Sequence, residues 1–350
     1  MGRPRITLLC RGSTRVGLGH VMRTRTVADA LESRAVVRVV LIGDEAAASL
    51  LRDRPWPSLR VDSEAAAASA VTSTRPHAVT VDLTTLTASA FDEVSDDGRR
   101  PVASLSPVFD RLDEVPVLFH RATRHPLGPR PGWRMGPDWA VVRPEVAAIP
   151  EASFRAAIAP DRPLPVAVCM GGGDAPNLTR RVIERLRAFD RPLLVWALLG
   201  EGYRHSFDEL ERAARADRRH EVILARTTHS MWHVLRGCAV AVLAGGTVTY
   251  EAAAAGLPSV NLLADPAQAY LIEDLVAAGA AFHGGSLEGD LSALPRILER
   301  LDADRDGLLA AHRAARGLVD GRAAHRIADA MLDLAARAAM AEPAGQGVAA

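Results

Sequence analysis

Short runs of Val, Ile and Leu alternate along this chain with longer segments in which apolar residues recur every three or four positions. Apolar runs of that length suit parallel strands buried on both faces, and the amphipathic segments between them suit helices that cover those faces. The pattern predicts strands near 5–11, 36–42, 78–82, 100–104, 116–119 and 138–142, with helices near 20–33, 45–52, 64–73 and 86–96. A second series predicts strands near 164–170, 192–199, 220–224, 238–243 and 258–263, and helices near 177–189, 205–217, 229–236, 247–255 and 266–278. The fold class is therefore α/β, with two doubly wound, Rossmann-like domains and a cleft between them.

Between the two series, around 147–161, Pro144, Pro150 and Pro160 punctuate a short helical segment, which places the linker there. The expected domains are 1–150 and 151–338. After about residue 290 the pattern is wholly helical and ends in an Ala- and Arg-rich run over 322–338. The closing residues, 339–350, are expected to be disordered. A chain of 350 residues with 48% hydrophobic residues has the length and the apolar content for two cores.

Charge narrows the range of partners. Lys plus Arg and Asp plus Glu are equal at 42 each, so no net field draws the chain to nucleic acid or to an anionic membrane. The apolar run 6–10 is too short for a secretion signal, and no run approaches the roughly 18 apolar residues of a membrane span. A cytoplasmic protein without stable membrane insertion is expected. Cys10, Cys169 and Cys238 lie far apart beside apolar runs and read as reduced core residues.

Three loops at strand ends carry the candidate chemistry. The first, residues 13–23 (S-T-R-V-G-L-G-H-V-M-R), joins a strand to a helix. Glycines at such a place let backbone N–H groups and a helix N-terminus approach an anion. Gly17 and Gly19 suit that use, and His20 beside them is a residue type suited to proton transfer near neutral pH. A glycine turn with a capping or packed histidine explains the same spacing. The second loop, 170–179 (M-G-G-G-D-A-P-N-L-T), presents glycines with no side chains in the way of a diphosphate or a substrate edge, while Asp174 or Asn177 caps the next helix. In the third, 244–251 (A-G-G-T-V-T-Y-E), the amides of Gly246 and Thr247 stand at a helix N-terminus where phosphate binds. One turn on, Glu251 either accepts ribose hydroxyls or simply complements the helix dipole.

Two other groups draw attention. His229 and His233 have i, i+4 spacing, but Ser230 stands where a zinc-protease motif has Glu, so no metal site is expected. His120, Arg121, Arg124 and His125 read as a solvated basic loop, with a substrate-facing loop as the alternative.

Together the three loops resemble the UDP-2,4-diacetamido-2,4,6-trideoxy-β-L-altropyranose hydrolases of pseudaminic acid synthesis and the related spore-coat polysaccharide proteins. The family pattern I-G-x-G-H-x-x-R matches residues 16–23; G-G-x-D-x-x-N-L-T matches Gly171, Gly172, Asp174 and 177–179; A-G-G-T-x-x-Y-E matches 244–251. Residues 136–140 with 143–145, and 318–321 with 326–327, are similar to two further family motifs, so the resemblance runs from about 5 to 338.

The resemblance implies a GT-B type fold, a nucleotide held by the C-terminal domain, and a final helix that crosses back to the first domain. It implies that Gly246 and Thr247 hold the diphosphate and Glu251 the ribose, with Gly245 beside them in the substrate site and His20 as the base. Gly17, Gly19, Arg23, Gly171, Gly172, Asp174, Asn177 and Gln268 would complete the substrate site. The reaction it implies is attack of water on the anomeric carbon of a uridine diphosphate sugar, with inversion and with no metal or other cofactor.

Departures fall mostly on the sugar side. The family's R-x-D-x-S reads Leu9, Arg11 and Ser13 here, its D-x-Y is reduced to Asp82 followed by Leu83 and Thr84, and its Asp pair gives way near Ser104 to Ser106. Its E-N-Q becomes Pro266, Ala267 and Gln268. Three functions stay open: a nucleotide-sugar hydrolase with a different sugar, a glycosyltransferase of the same fold, and a non-catalytic nucleotide-sugar binding protein.

Overall fold

The computed structural model describes residues 2–174, 176–226, 231–286 and 288–341. The first sheet contains β1 (Arg5–Gly12), β2 (Val36–Gly43), β3 (Ser58–Val61), β4 (Ala78–Asp82), β5 (Val102–Ser104), β6 (Val117–His120) and β7 (Arg134–Met135). All seven are parallel, in the order β3-β2-β1-β4-β5-β6-β7. Helices α1 (Gly19–Leu31), α2 (Glu45–Ser49), α3 (Glu64–Ser73) and α4 (Ala88–Ser95) supply the crossovers, and α5 (Glu151–Ala157) lies in the connection to the second sheet. Side chains start two of them: Asp44 caps α2 by accepting from the Ala47 amide, and Ser63 caps α3 through the Ala66 amide.

The second sheet contains β8 (Leu164–Cys169), β9 (Leu193–Leu199), β10 (Glu221–Arg226), β11 (Val240–Leu243), β12 (Ser259–Leu263) and β13 (Ala281–Ser286). It too is parallel, in the order β10-β9-β8-β11-β12-β13. Its helices are α6 (Leu178–Leu186), α7 (Phe207–Arg215), α8 (Met231–Leu235), α9 (Thr247–Ala255) and α10 (Glu273–Ala277), followed by α11 (Ala293–Ala303), α12 (Arg305–Leu318) and α13 (Ala323–Ala341). Two doubly wound α/β units result, the class that the hydrophobic pattern predicts.

Strand order reverses at the first strand of each sheet. β1 lies between β2 and β4, and β8 between β9 and β11. Crossovers leave such a strand in opposite directions, so a crevice opens at its carboxyl end. The glycine loops after β1, β8 and β11 all stand at these two crevices.

Several predicted elements differ from those observed. No strand forms over 138–142, where a 3-10 turn (Pro137–Trp139) leads into irregular chain. The apolar residues there are buried for another reason. Val141 joins the core of the first sheet, whereas Ala140 and Val142 pack with Tyr250 of α9, so this stretch bridges two cores without entering a sheet. The predicted helix over 266–278 is a 3-10 turn (Pro266–Leu271) followed by α10. β3 and β13 lack a sequence signal: β3 is a largely exposed edge strand, and β13 carries Gly284 and Gly285 beside a register shift in β12. Helix α13 runs to Ala341, past the expected start of the tail, and 342–350 lie outside the described residues. No helix among the described residues is long and apolar enough to cross a membrane.

Helix α13 lies against the first sheet, at the far end of the chain from it. Ala324, Ile327, Ala328, Met331 and Ala335 are buried with Ile6, Leu8, Val27 and Leu31. Met331→Ala would leave a cavity in this shared core, and by the behaviour of such truncations should destabilise the protein by about 2–5 kcal/mol. Urea unfolding monitored by circular dichroism measures that change.

Candidate active site

The loop after β1 is pinned from both sides. Ser13 and Gly17 exchange backbone hydrogen bonds of 3.3 and 2.8 Å, a tight turn that requires Gly17 at φ +102°. Thr14 donates through its amide and its hydroxyl to Asp44 Oδ2, both at 2.9 Å. Just beyond, His20 and Arg23 project from the first turn of α1 toward Asp82, the last residue of β4 and the register partner of Cys10 in β1.

Asp82 is 1% exposed and takes three donors. His20 Nδ1 lies 2.5 Å from Oδ1, Arg23 Nε donates to Oδ2 at 2.7 Å, and Arg23 Nη2 donates to Oδ1. Burial pushes the Asp82 carboxyl up, but the adjacent Arg23 and His20 outweigh it and hold the group below its ordinary 3.8. With Asp82 ionised, the network assigns the proton of neutral His20 to Nδ1 and leaves the Nε2 lone pair free. A histidine oriented by a buried carboxylate is the arrangement of a general base. Arg11, at the end of β1, is instead paired with Glu64 and donates to Thr85 Oγ1 at 3.0 Å.

The glycines after β8 all line the cleft, and two of them also pack against the loop after β1. A Cβ on Gly173 would stand 2.2 Å from the Thr14 carbonyl oxygen, and one on Gly172 3.0 Å from Leu18 Cδ1. These two glycines let the loop close on the loop after β1. Gly171, at φ +87°, has nothing near its Cβ position and lines the cleft. Asp174 caps α6, accepting from the amides of Leu178 at 2.7 Å and Thr179 at 2.9 Å, and its burial raises its pKa despite them. Asn177 Oδ1 accepts from the Tyr203 hydroxyl at 3.0 Å.

After β11, Gly245 adopts φ +68°, and Gly246 begins α9 with no side chain capping the first turn. Thr247 Oγ1 stands 3.5 Å from where a Cβ on Gly19 would be, so this helix N-terminus faces the His20 loop at contact distance. Glu251 is 1% exposed and is not a lone first-turn acid. Arg143 grips it bidentately, Nε to Oε1 and Nη2 to Oε2, both at 2.7 Å. Burial alone would lower the Arg143 pKa, but Glu251 reverses this and raises it.

All three loops line one cleft of about 410 Å³, together with Arg25, Arg143, Met231 and Glu251. On the side of the first sheet an apolar patch of Val16, Leu18, Met22 and Leu50 stands beside Thr14, Arg15 and Arg25. Arg23 lines a smaller recess of about 10 Å³ with Arg121, Trp139, Thr247 and Tyr250. Gln268 lies on the 3-10 turn after β12, off the lining of the cleft.

The basic segment 120–125 is solvated only in part: the Arg124 side chain is exposed, whereas His120 is withdrawn from solvent. His120 is fully buried; burial lowers its pKa to about 4, and its Nε2 donates to the Arg124 carbonyl at 2.8 Å. His125 Nε2 lies 2.8 Å from the Pro107 carbonyl oxygen. Arg121 rests over the Tyr250 ring at 5.5 Å, and its Nε is buried with no partner. Cys10, Cys169 and Cys238 are buried free thiols. The spacing of His229 and His233 falls partly outside the described residues, and among those residues no group of three or more His, Cys, Asp or Glu could hold a metal ion.

Sequence reading passed over the roles of Asp82, Arg143 and Arg121. Asp82 carried a local signal, an acid closing a short, largely apolar strand, but its partners are one turn of a helix about sixty residues away. Replacing Asp82 with Asn leaves Arg23 buried without a counter-charge, which should destabilise the protein by about 3–5 kcal/mol near neutral pH. Because the folded-state pKa is lowered, the ionised carboxylate stabilises fully above its ordinary 3.8, and this contribution fades as pH falls through the folded value. Urea unfolding of both proteins between about pH 7 and about pH 3 should show the gap closing only at the acid end.

No protein-family model matches the chain, and neither does any curated protein sequence. Solved structures do match over nearly its whole length. MurG of Acinetobacter baumannii superposes with a TM-score of 0.71 at 16% identity, covering 94% of this chain and 99% of that one. The UDP-GlcNAc 2-epimerase of Neisseria meningitidis, solved bound to UDP-GlcNAc, gives 0.61 at 11% identity over 94% and 100%. The calicheamicin glycosyltransferase CalG4 gives 0.59 at 15% identity over 96% and 99%. With two doubly wound sheets facing across a cleft and neighbours of this kind, the chain has a GT-B type fold.

Proposed function

We propose that this chain is an enzyme that binds a nucleotide-activated sugar, linked through uridine diphosphate, in the cleft and transfers the sugar to water. The domain built on 1–150 takes the sugar side, and the domain that begins at 151 takes the nucleotide. The observation that carries the reading is the meeting of His20, oriented by Asp82, with the uncapped N-terminus of α9. The loop that carries His20 and the N-terminus of α9, whose Gly19 and Thr247 line the same cleft, thus bring a base and a set of amide donors close together, the pair that a displacement at the anomeric carbon needs.

In the proposed reaction a water oxygen attacks the anomeric carbon while the bond from that carbon to the β-phosphate oxygen breaks. The water proton passes to His20 Nε2, and Asp82 stabilises the imidazolium that forms. The amides of Gly246 and Thr247 and the dipole of α9 stabilise the charge on the departing nucleoside diphosphate. A single displacement inverts the anomeric configuration. Glu251 takes the ribose hydroxyls on lone pairs that the Arg143 pair leaves free, and Arg143 holds the carboxylate in place for them.

A transferase is the second reading, and the apolar patch of Val16, Leu18, Met22 and Leu50 favours it, since it would suit an acceptor with apolar surface. Purified protein incubated with a panel of uridine diphosphate sugars and no acceptor separates the two. Hydrolysis predicts steady release of nucleoside diphosphate, reduced about 100- to 10,000-fold in His20→Ala with donor binding retained. Tight donor binding without release would overturn hydrolysis in favour of the transferase.

A further inference from the structure

The small recess next to His20 holds more positive charge than the protein itself neutralises. Arg23 reaches it with its charge already matched by Asp82, and Arg23 Nη2 lies 3.1 Å from His20 Nδ1. Arg121, on the opposite wall, has no carboxylate and no hydrogen-bond acceptor among the described residues, and its Nε is sealed from solvent. The rest of the lining is Thr247 and apolar or aromatic side chains, with no acid.

Burial without a counter-charge opposes keeping a guanidinium at such a place, and the Tyr250 ring beneath it compensates only in part. The ring does fix the arginine: the Tyr250 hydroxyl is anchored to the Leu271 carbonyl at 2.7 Å, so Arg121 rests on a rigid floor. A planar guanidinium held in this way matches a carboxylate, which it can engage with two parallel hydrogen bonds. At about 10 Å³ the recess has room for about one water-sized polar atom, the tip of a group that enters it, and not for a sugar ring. The diphosphate has its own donors in the amides at the start of α9, on the larger cleft.

We propose that this recess receives a carboxylate borne by the sugar, with Arg121 as the specificity-determining residue, so that the donor is an acidic, hexuronate-type nucleotide sugar. The inference rests on the nucleotide-sugar reading above and narrows it to a substrate class.

Isothermal titration of the full chain with uridine diphosphate, a uridine diphosphate hexuronate and the matching neutral hexose compound tests it, in the parent, Arg121→Gln and Arg121→Lys. The parent should favour the hexuronate by about 10- to 100-fold. Arg121→Gln should erase that preference while leaving affinity for uridine diphosphate unchanged, and Arg121→Lys should keep part of it. Equal binding of hexose and hexuronate by the parent would overturn the proposal. So would a loss of uridine diphosphate affinity in Arg121→Gln as large as the loss for the hexuronate, which would assign the guanidinium to the diphosphate. A second arm uses free hexuronate and free hexose in thermal-shift measurements. Discrimination there that depends on Arg121 sustains the proposal even if no nucleotide binds, whereas its absence in both arms ends it. Removing an unmatched charge should leave the thermal midpoint of Arg121→Gln at or above that of the parent. A fall in the midpoint with the preference intact would make Arg121 a structural residue only.

Discussion

The two halves of this protein approach each other through backbone. Gly173 meets the Thr14 carbonyl at a distance that leaves no room for a Cβ, Gly172 packs tightly on the Leu18 side chain, and Gly19 meets the first residue of α9 at ordinary contact distance. Most of what the site offers follows from that contact. It sets the width of the cleft, brings the His20 loop to the N-terminus of α9, and leaves amides instead of side chains facing the space between. A bulkier residue at Gly173 would push against a carbonyl oxygen, which has no rotamer by which to yield.

Around that contact, ion pairs hold the reactive groups in position. A buried carboxylate is stable only when donors saturate it, and Asp82 and Glu251 meet this need with an arginine from another element, whereas Asp174 meets it with the first amides of α6. Asp82 ties the end of β4 to the first turns of α1, and in doing so fixes the tautomer of His20. Glu251 ties α9 to the connection between the sheets through Arg143, which also lines the cleft. The positions at which acids count are therefore rigid before any ligand arrives, the preorganisation on which electrostatic catalysis depends. Arg121 stands apart as the one arginine of these three whose charge the fold leaves unmatched.

The strands that carry the site were legible because each is buried on both faces and so must be mainly apolar; β8 and β11 are apolar throughout, while β1 and β4 interrupt the run only with Thr7, Thr80 and polar residues near their ends. Their glycine loops were legible too, since positive φ and close backbone approach both demand glycine. What the glycines do was harder to read, because the spacing is the same whether they face a ligand or another loop. All three glycines after β8 line the cleft, and Gly172 and Gly173 also pack against Leu18 and Thr14. The apolar run at 138–142 shows the opposite limit. Burial can come from a sheet or from bridging two cores, and a one-dimensional pattern records only the burial.

By itself the sequence determined the α/β class, the two parallel series, the places where glycines must stand and the residue types available for chemistry. These are local matters, decided by periodicity, backbone freedom and side-chain type over a few residues. Only the tertiary structure decided which charges meet: Asp82 with His20 and Arg23, Glu251 with Arg143, and Arg121 with no direct ion-pair partner among the described residues. Coulombic and hydrogen-bond partners are chosen by distance in space, and residues about sixty or a hundred positions apart in the chain carry no mark of the contact that folding makes.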